Sequence, residues 1–180
     1  GYGRGGAPGI HFANTQFMSM SAALSSLGAC TVVAIIKPEN VNGTTKYILG
    51  NSGGGRFIGF HSNVMDVNFG STANPAPPTN FNLVTHRFQT WVVTHDADTG
   101  DAILRTDGRA GAAASAGTST GSINRVGRQS STSPGDFYLA ALLVYNRVLT
   151  SDELLAIEAW GQSYRTRDFH FAADDSSDNT

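Results

Sequence analysis

Hydrolysis of a glycosidic bond takes two carboxylates facing each other across a cleft, one as acid and one as base or nucleophile. The chain has three glutamates, Glu39, Glu153 and Glu158. Glu39 follows the strand-ending Pro38 and the other two fall on a segment with helical spacing, so no strand presents a carboxylate pair. No G-x-S-x-G elbow offers an activated serine. Cys30 lies inside an apolar run, where a thiol packs as a small hydrophobe. The five histidines, His11, His61, His86, His95 and His170, form no H-x-H or H-x-x-x-H pair of the kind zinc uses. A hard cation is better served. Asp96-Ala97-Asp98-Thr99-Gly100-Asp101 sets oxygen ligands at alternate positions, as a calcium loop begins, but without the terminal bidentate glutamate. Calcium on Asp96, Asp98 and Asp101 is the one cofactor the sequence suggests; the same residues also make an ordinary solvated turn. For a polar ligand, the candidate binding residues are His61, Asn68 and Arg128, with Tyr2 near them in type but not in sequence. Asp66 and Asn68 share the side of their strand expected to face water.

At 180 residues the chain has enough length for one sizeable core. Only 14% of residues are charged, and the net charge of −2 gives no basic footprint, so nucleic acid is excluded as a partner. A single cysteine rules out an intramolecular disulfide. No apolar run reaches the length of a membrane span, so no membrane insertion is expected.

Residues 1–9 form a Gly-rich arm, 10–170 the folded body and 171–180 an acidic polar tail. Within the body, Cys30–Lys37 is β-branched and reads as a buried strand. Lys46–Leu49 and Arg56–His61 flank a Gly-rich hairpin loop. Val64–Phe69 alternates with Met65, Val67 and Phe69 inward. Gln89–His95 and Ala102–Thr106 make a hairpin over the acidic turn. Ile10–Met20 reads as two short strands and Ser21–Ala29 as a loop or weak helical turn. Phe81–Val84 is a short extended piece. Phe137–Val144 is apolar on both alternating sets, which predicts a central strand covered on both faces. After it, Thr150 and Glu153 have capping-box spacing, and Leu154, Ile157, Gly161 and Tyr164 share a helical stripe. Trp160 and Tyr164 are expected to pack on the sheet. Ten to twelve short strands and one C-terminal helix predict an all-β sandwich.

The segment Val144-Tyr145-Asn146-Arg147-Val148-Leu149-Thr150-Ser151-Asp152-Glu153-Leu154 resembles the C-terminal signature of laminin-G-like domains of the concanavalin-A-like lectin/glucanase superfamily. Trp91, Val93, Thr94, Asp96, Leu104, Asp107 and Gly108 resemble a second stretch of the same family, "W-x-x-V-x-x-T-x-D…L-x-x-D-G". The resemblance implies a two-sheet antiparallel jelly-roll sandwich with one short C-terminal helix, and a buried role for Trp91. It also supplies a contrast: glycosidases of the superfamily carry an E-x-D-x-x-E strand, which this chain lacks.

The resemblance without that strand implies no enzyme but an extracellular, lectin-like recognition module, binding glycans or a surface protein. The alternative, from the Gly-rich arm, the polar tail and the low charge, is a structural subunit of a viral or extracellular assembly, such as a decoration or fibre protein. Self-assembly would then run through the arm and tail, and the setting would be extracellular or a virion surface.

Overall fold

The computed structural model describes residues 9–13, 16–24, 27–41, 43–52, 55–61, 64–70, 72–73, 75, 84–106, 108–119, 122–128 and 135–174; at 56, 61, 72, 73 and 166–174 this holds for the backbone alone. The expected arm, apart from Gly9, and the last six residues of the expected tail lie outside them, as do Tyr2, residues 81–83 and Asp107.

Two antiparallel sheets face each other. The first joins β1 (Ile10–Phe12), β13 (Phe137–Tyr145), β3 (Cys30–Pro38), β8 (Gln89–His95), β9 (Asp101–Thr106) and β10 (Arg109–Ala110) in that order, with β11 (Ala114–Ser115) also on β9. The second runs β2 (Met18–Leu24), β12 (Ile123–Val126), β4 (Lys46–Gly50), β5 (Arg56–His61), β6 (Val64–Phe69) and β7 (Thr72–Ala73). The expected sandwich is therefore present, and the one helix among the described residues, α1 (Ser151–Asp174), lies at their C-terminal end. Ser21–Leu24, read from sequence as loop, continues β2: small residues suffice on an edge strand that is largely exposed.

The core between the sheets takes Val32, Ala34, Ile36, Trp91, Val93 and Leu104 from the first sheet, and Leu49, Ile58, Phe60, Met65, Val67 and Phe69 from the second. Trp91 is buried as expected, edge-on to Phe60 at 5.6 Å. His95 closes one end of this core. It is fully buried, stacked on Phe69 at 4.0 Å, with Nδ1 and Nε2 each 2.8 Å from a carbonyl, of Gly28 and Gly117.

β13 holds a different place from the one its composition predicts. It lies between β1 and β3, one strand in from the edge, and β3 and β8 take the middle. It also contains a bulge: Leu139 pairs with Ile36 and Ala141 with Ile35, leaving Ala140 over. Phe137 and Leu139 point into the core before the bulge, Leu142 and Val144 after it, so the inward set changes parity within one strand.

The helix covers the outer face of the first sheet. Leu154 and Ile157 pack on Val33, Val92 and Leu149, and Tyr164 on Ile35 and Phe88. Gly161 lets α1 approach β8 closely, because a Cβ there would run into the Thr90 side chain. Glu158, 2% exposed, forms a two-point pair with Arg105 of β9, both contacts at 3.3 Å. The capping box is present: the Thr150 N–H donates to Glu153 Oε2 at 2.9 Å, and the Glu153 N–H points back to Thr150 Oγ1 at 3.4 Å. Arg147 adds two charged hydrogen bonds to the same carboxylate, at 2.6 and 2.7 Å. Trp160 departs from expectation. It is 41% exposed and rests edge-on against Tyr164 instead of the sheet. No helix among the described residues is long and apolar enough to cross a membrane.

Candidate functional site

β4, β5 and β6 alternate, so half their side chains leave the core for the opposite face of the second sheet. Pairing then decides which of them meet. Arg125 pairs with Ser19 and Gly50, Gly50 with Phe57, Phe57 with Asn68, and Asn68 with Thr72. Directly paired antiparallel residues project to one face. This face therefore carries a row that crosses the sheet: Ser19, Arg125, Gly50, Phe57, Asn68. A second row beside it runs Tyr47, Gly59, Asp66.

Two features shape this surface. The Tyr47 and Phe57 rings, both half-buried, meet edge to face at 5.0 Å and form an aromatic corner. Glycine stands beside each ring. Gly50, itself buried, stands between Arg125 and Phe57, two strands and about 10 Å apart. At Gly59 the surface cannot be filled by substitution without a shift, since a Cβ would lie 2.7 Å from the Lys46 carbonyl oxygen. The floor beside the aromatic corner is thus closed at Gly59 by Lys46 and Thr45. Asn51 and Asn124 fix its rim: Asn51 Nδ2 donates to the Ser122 carbonyl at 2.6 Å, and the Ser52 N–H donates to Asn124 Oδ1 at 2.9 Å.

Asp66, expected to face water, is only 5% exposed. The Thr45 hydroxyl donates to its Oδ2 at 2.7 Å and covers it. Asn68 is half-buried, with Oδ1 accepting the Gly70 N–H at 2.9 Å. Arg128 lies at the other side of the face. The Gly127 N–H donates to the Ile48 carbonyl, which sets Arg128 toward the Tyr47 end of β4. There Arg125 and Arg128 both approach the Phe17 ring, with guanidinium carbons 5.0 and 5.2 Å from its centroid. His61 ends β5 opposite Val64, four residues and about 13 Å along the hairpin from the Phe57–Asn68 pair; its side chain lies outside the described residues. The three candidates from sequence therefore do not converge. Asn68 is in the row and Arg128 at its flank, three strands away. Tyr47, Phe57, Arg125 and Phe17 were missed, because what unites them is pairing between strands distant in the chain.

The acidic turn belongs to the first sheet. Asp96 Oδ1 accepts the N–H groups of Asp98 and Thr99, at 2.8 and 3.3 Å, and the Asp101 N–H donates to Thr99 Oγ1. The carboxylate thus caps its own turn, and among the described residues no group of three His, Cys, Asp or Glu side chains is arranged to hold a metal ion. Cys30 is buried, and burial pushes its thiol up to about 12, which keeps it protonated and unreactive at neutral pH. Glu39, at the end of β3, sits 3.0 Å from His86 Nδ1 and 3.7 Å from Lys37 Nζ.

A two-sheet antiparallel jelly roll, one outer face under a helix and the other carrying rings, glycines and polar side chains, is a lectin-like architecture. The chain belongs to the concanavalin A-like lectin/glucanase superfamily: a laminin-G family model of that superfamily matches residues 12–155. Among solved structures it is similar to a heptameric SAP-like pentraxin from Limulus polyphemus, at 15% identity and TM-score 0.69, covering 82% of this chain and 80% of that one. It is also similar to the CBM40 of the Ruminococcus gnavus IT-sialidase, at 15% identity and TM-score 0.53, over 79% of this chain and 96% of that one. The NanB sialidase of Streptococcus pneumoniae matches at 11% identity and TM-score 0.57 over 82% of this chain, but only 27% of its own length is covered. These likenesses concern the fold. No curated protein matches the chain by sequence.

Proposed function

We propose that the chain is a non-catalytic glycan-binding module whose ligand lies on the outer face of the second sheet, against Tyr47 and Phe57 and between Arg125 and Asn68. The aromatic corner beside two glycines carries this reading. A sugar ring presents an apolar face of C–H groups that stacks on an aromatic ring, while its hydroxyls need polar partners around the edge. The row supplies both. The similarity to a sialidase's CBM40 supports the same class of ligand.

The non-catalytic part rests on where the carboxylates are. In the two rows the one acid is Asp66, held by Thr45. Glu39 lies at the end of β3, and Glu153 and Glu158 are on α1. A cation at the Asp96–Asp101 turn would sit on the first sheet, away from this ligand, so the binding proposed here does not require calcium. An extracellular or virion-surface setting suits such a module.

One observation favours the rival reading of a structural subunit. β2 is an edge strand of seven uncharged residues, largely exposed, and such an edge can pair with another chain.

A glycan array probed with the purified chain tests the proposal, with Phe57→Ala as control and with EDTA in a parallel run. We expect specific binding that EDTA leaves intact and that Phe57→Ala weakens about tenfold, the scale of losing one stacked ring. Silence on the array, with a chain that sediments as a large assembly, would transfer the case to the structural subunit.

A further inference from the structure

Two of the five histidines stand at the same end of the first sheet, each against a carboxylate. Strand pairing sets their order. His11 of β1 is opposite Tyr138 of β13, and Tyr138 is opposite Lys37 of β3. The Tyr138 ring therefore meets the His11 ring from one neighbouring strand, stacked at 4.2 Å, and the Lys37 ammonium from the other, 4.3 Å from its centroid. His11 Nε2 is 3.9 Å from Asp136 Oδ1. On the far side of β3, His86 Nδ1 is 3.0 Å from Glu39 Oε2, and Lys37 Nζ is 3.7 Å from Oε1 of the same carboxylate. The backbone ties the two halves together: the Glu39 N–H donates to the Asp136 carbonyl at 3.0 Å, and the His86 N–H to the Pro38 carbonyl at 2.7 Å. His86 also holds a left-handed backbone, φ 61°, which a side chain disfavours and which persists only where contacts over-determine it. The charged groups facing the two imidazoles are thus Asp136, Glu39 and Lys37, with Arg87 next in the chain. Tyr138 is the phenol beside them, and α1 brings Tyr164 against Phe88.

We propose that this end of the sheet is an acid-strengthened latch, in which protonated His11 and His86 clamp β1 and the entry to β8 onto β13 and β3. Two carboxylates face one ammonium, so the first proton taken up balances the cluster. A charged His11 also gains attraction to the Tyr138 ring as well as to Asp136. Free histidine titrates at about pH 6.5 and free carboxylates at about pH 4. An imidazole that gains an opposite charge on folding contributes stability that is present below the first value and is lost as pH rises through the histidine range. Below the second value the carboxylates are neutral and the clamp is lost again. The latch is therefore closed between about pH 4 and about pH 6.5. β1 is the segment that responds most, because it is held by three residue pairs to a single strand. Its opening withdraws Phe12 from the core and uncovers the edge of β13.

The test is amide hydrogen exchange of the full chain at about pH 5.5 and about pH 7.5, corrected for the intrinsic rate at each pH, with His11→Gln, Asp136→Asn and His86→Gln beside the parent. We expect protection of Ile10–Phe12 to be about threefold higher at the lower pH, the scale of an exposed ion pair. His11→Gln and Asp136→Asn should each abolish that gain. His86→Gln should leave most of it and remove the corresponding gain at residues 84–88. Equal protection of β1 at both pH values in the parent, or a pH-dependent gain that His11→Gln and Asp136→Asn both retain, would overturn the proposal.

Discussion

The two sheets of this sandwich share one core and differ on their outer faces. On the first, every part of the surface under α1 is closed. Val33, Val92 and Ile35 are covered by apolar side chains, Thr90 lies against Gly161, and Arg105 is bound to Glu158. At its end Glu39 lies 3.7 Å from Lys37 Nζ and 3.0 Å from His86 Nδ1. On the second sheet, among the described residues, no helix lies over Tyr47, Phe57, Asn68 and Arg125, and glycine stands where a core would place a branched side chain. The outer face of the first sheet is covered by apolar side chains and by the Arg105–Glu158 pair. The outer face of the second sheet instead leaves Tyr47, Phe57 and Asn68 half-buried. The helix therefore completes the fold on one side only.

The same substitution on the two faces should break the molecule in two different ways. Val33→Asp places a charge under the helix with no partner, which costs several kcal/mol and consumes most of a typical domain's stability of about 5–15 kcal/mol. We expect insoluble or unfolded protein. Phe57→Asp puts the same charge at the half-buried corner of the open face, where water reaches it. We expect a folded chain with lowered melting temperature and no glycan binding. Thermal melts of the two variants check this, and a cooperative melt for Val33→Asp would mean that the helix does not seal the first sheet.

A smaller effect tests the hinge between β13 and the helix. The two hydrogen bonds from Arg147, and then the Thr150 backbone N–H, hold the Glu153 carboxyl at about 2, below its ordinary 4.5. A carboxylate with a depressed folded value stabilises the fold fully above its unfolded value and loses that contribution as pH falls through the folded one. The cap should therefore weaken between about pH 4.5 and about pH 2, and Glu153→Gln should flatten this part of the acid unfolding curve. An unchanged curve would mean that the cap is not coupled to the stability of the sandwich.

What could be read from the sequence follows the distance over which each feature is written. The capping box and the Leu154–Ile157–Gly161–Tyr164 stripe are spelled within a few residues, and both are present. The hairpins β4–β5 and β8–β9 carry their turns between their strands. β3 announces itself by β-branched residues on both faces. β13 hid its bulge for the same reason it announced a strand: with both sets apolar, a change of parity leaves no trace in the pattern. Asp66 misled in the opposite way, since a charged residue in an alternating strand reads as solvated and only Thr45, brought over it by the fold, makes it buried. Of the binding face, Asn68 was legible as a polar position and Arg128 as a nearby cation. Arg125, Gly50 and Phe57 form a row only because β12 pairs with β4, and no local signal records that pairing.

The most direct test of the central claim is an amide chemical-shift titration of the full chain with the tightest-binding glycan from the array. The largest shifts are expected at Tyr47, Gly50, Phe57, Gly59, Asn68 and Arg125, with the residues under α1 unmoved. Shifts concentrated at the Asp96–Asp101 turn or along the helix, with the second sheet silent, would contradict it.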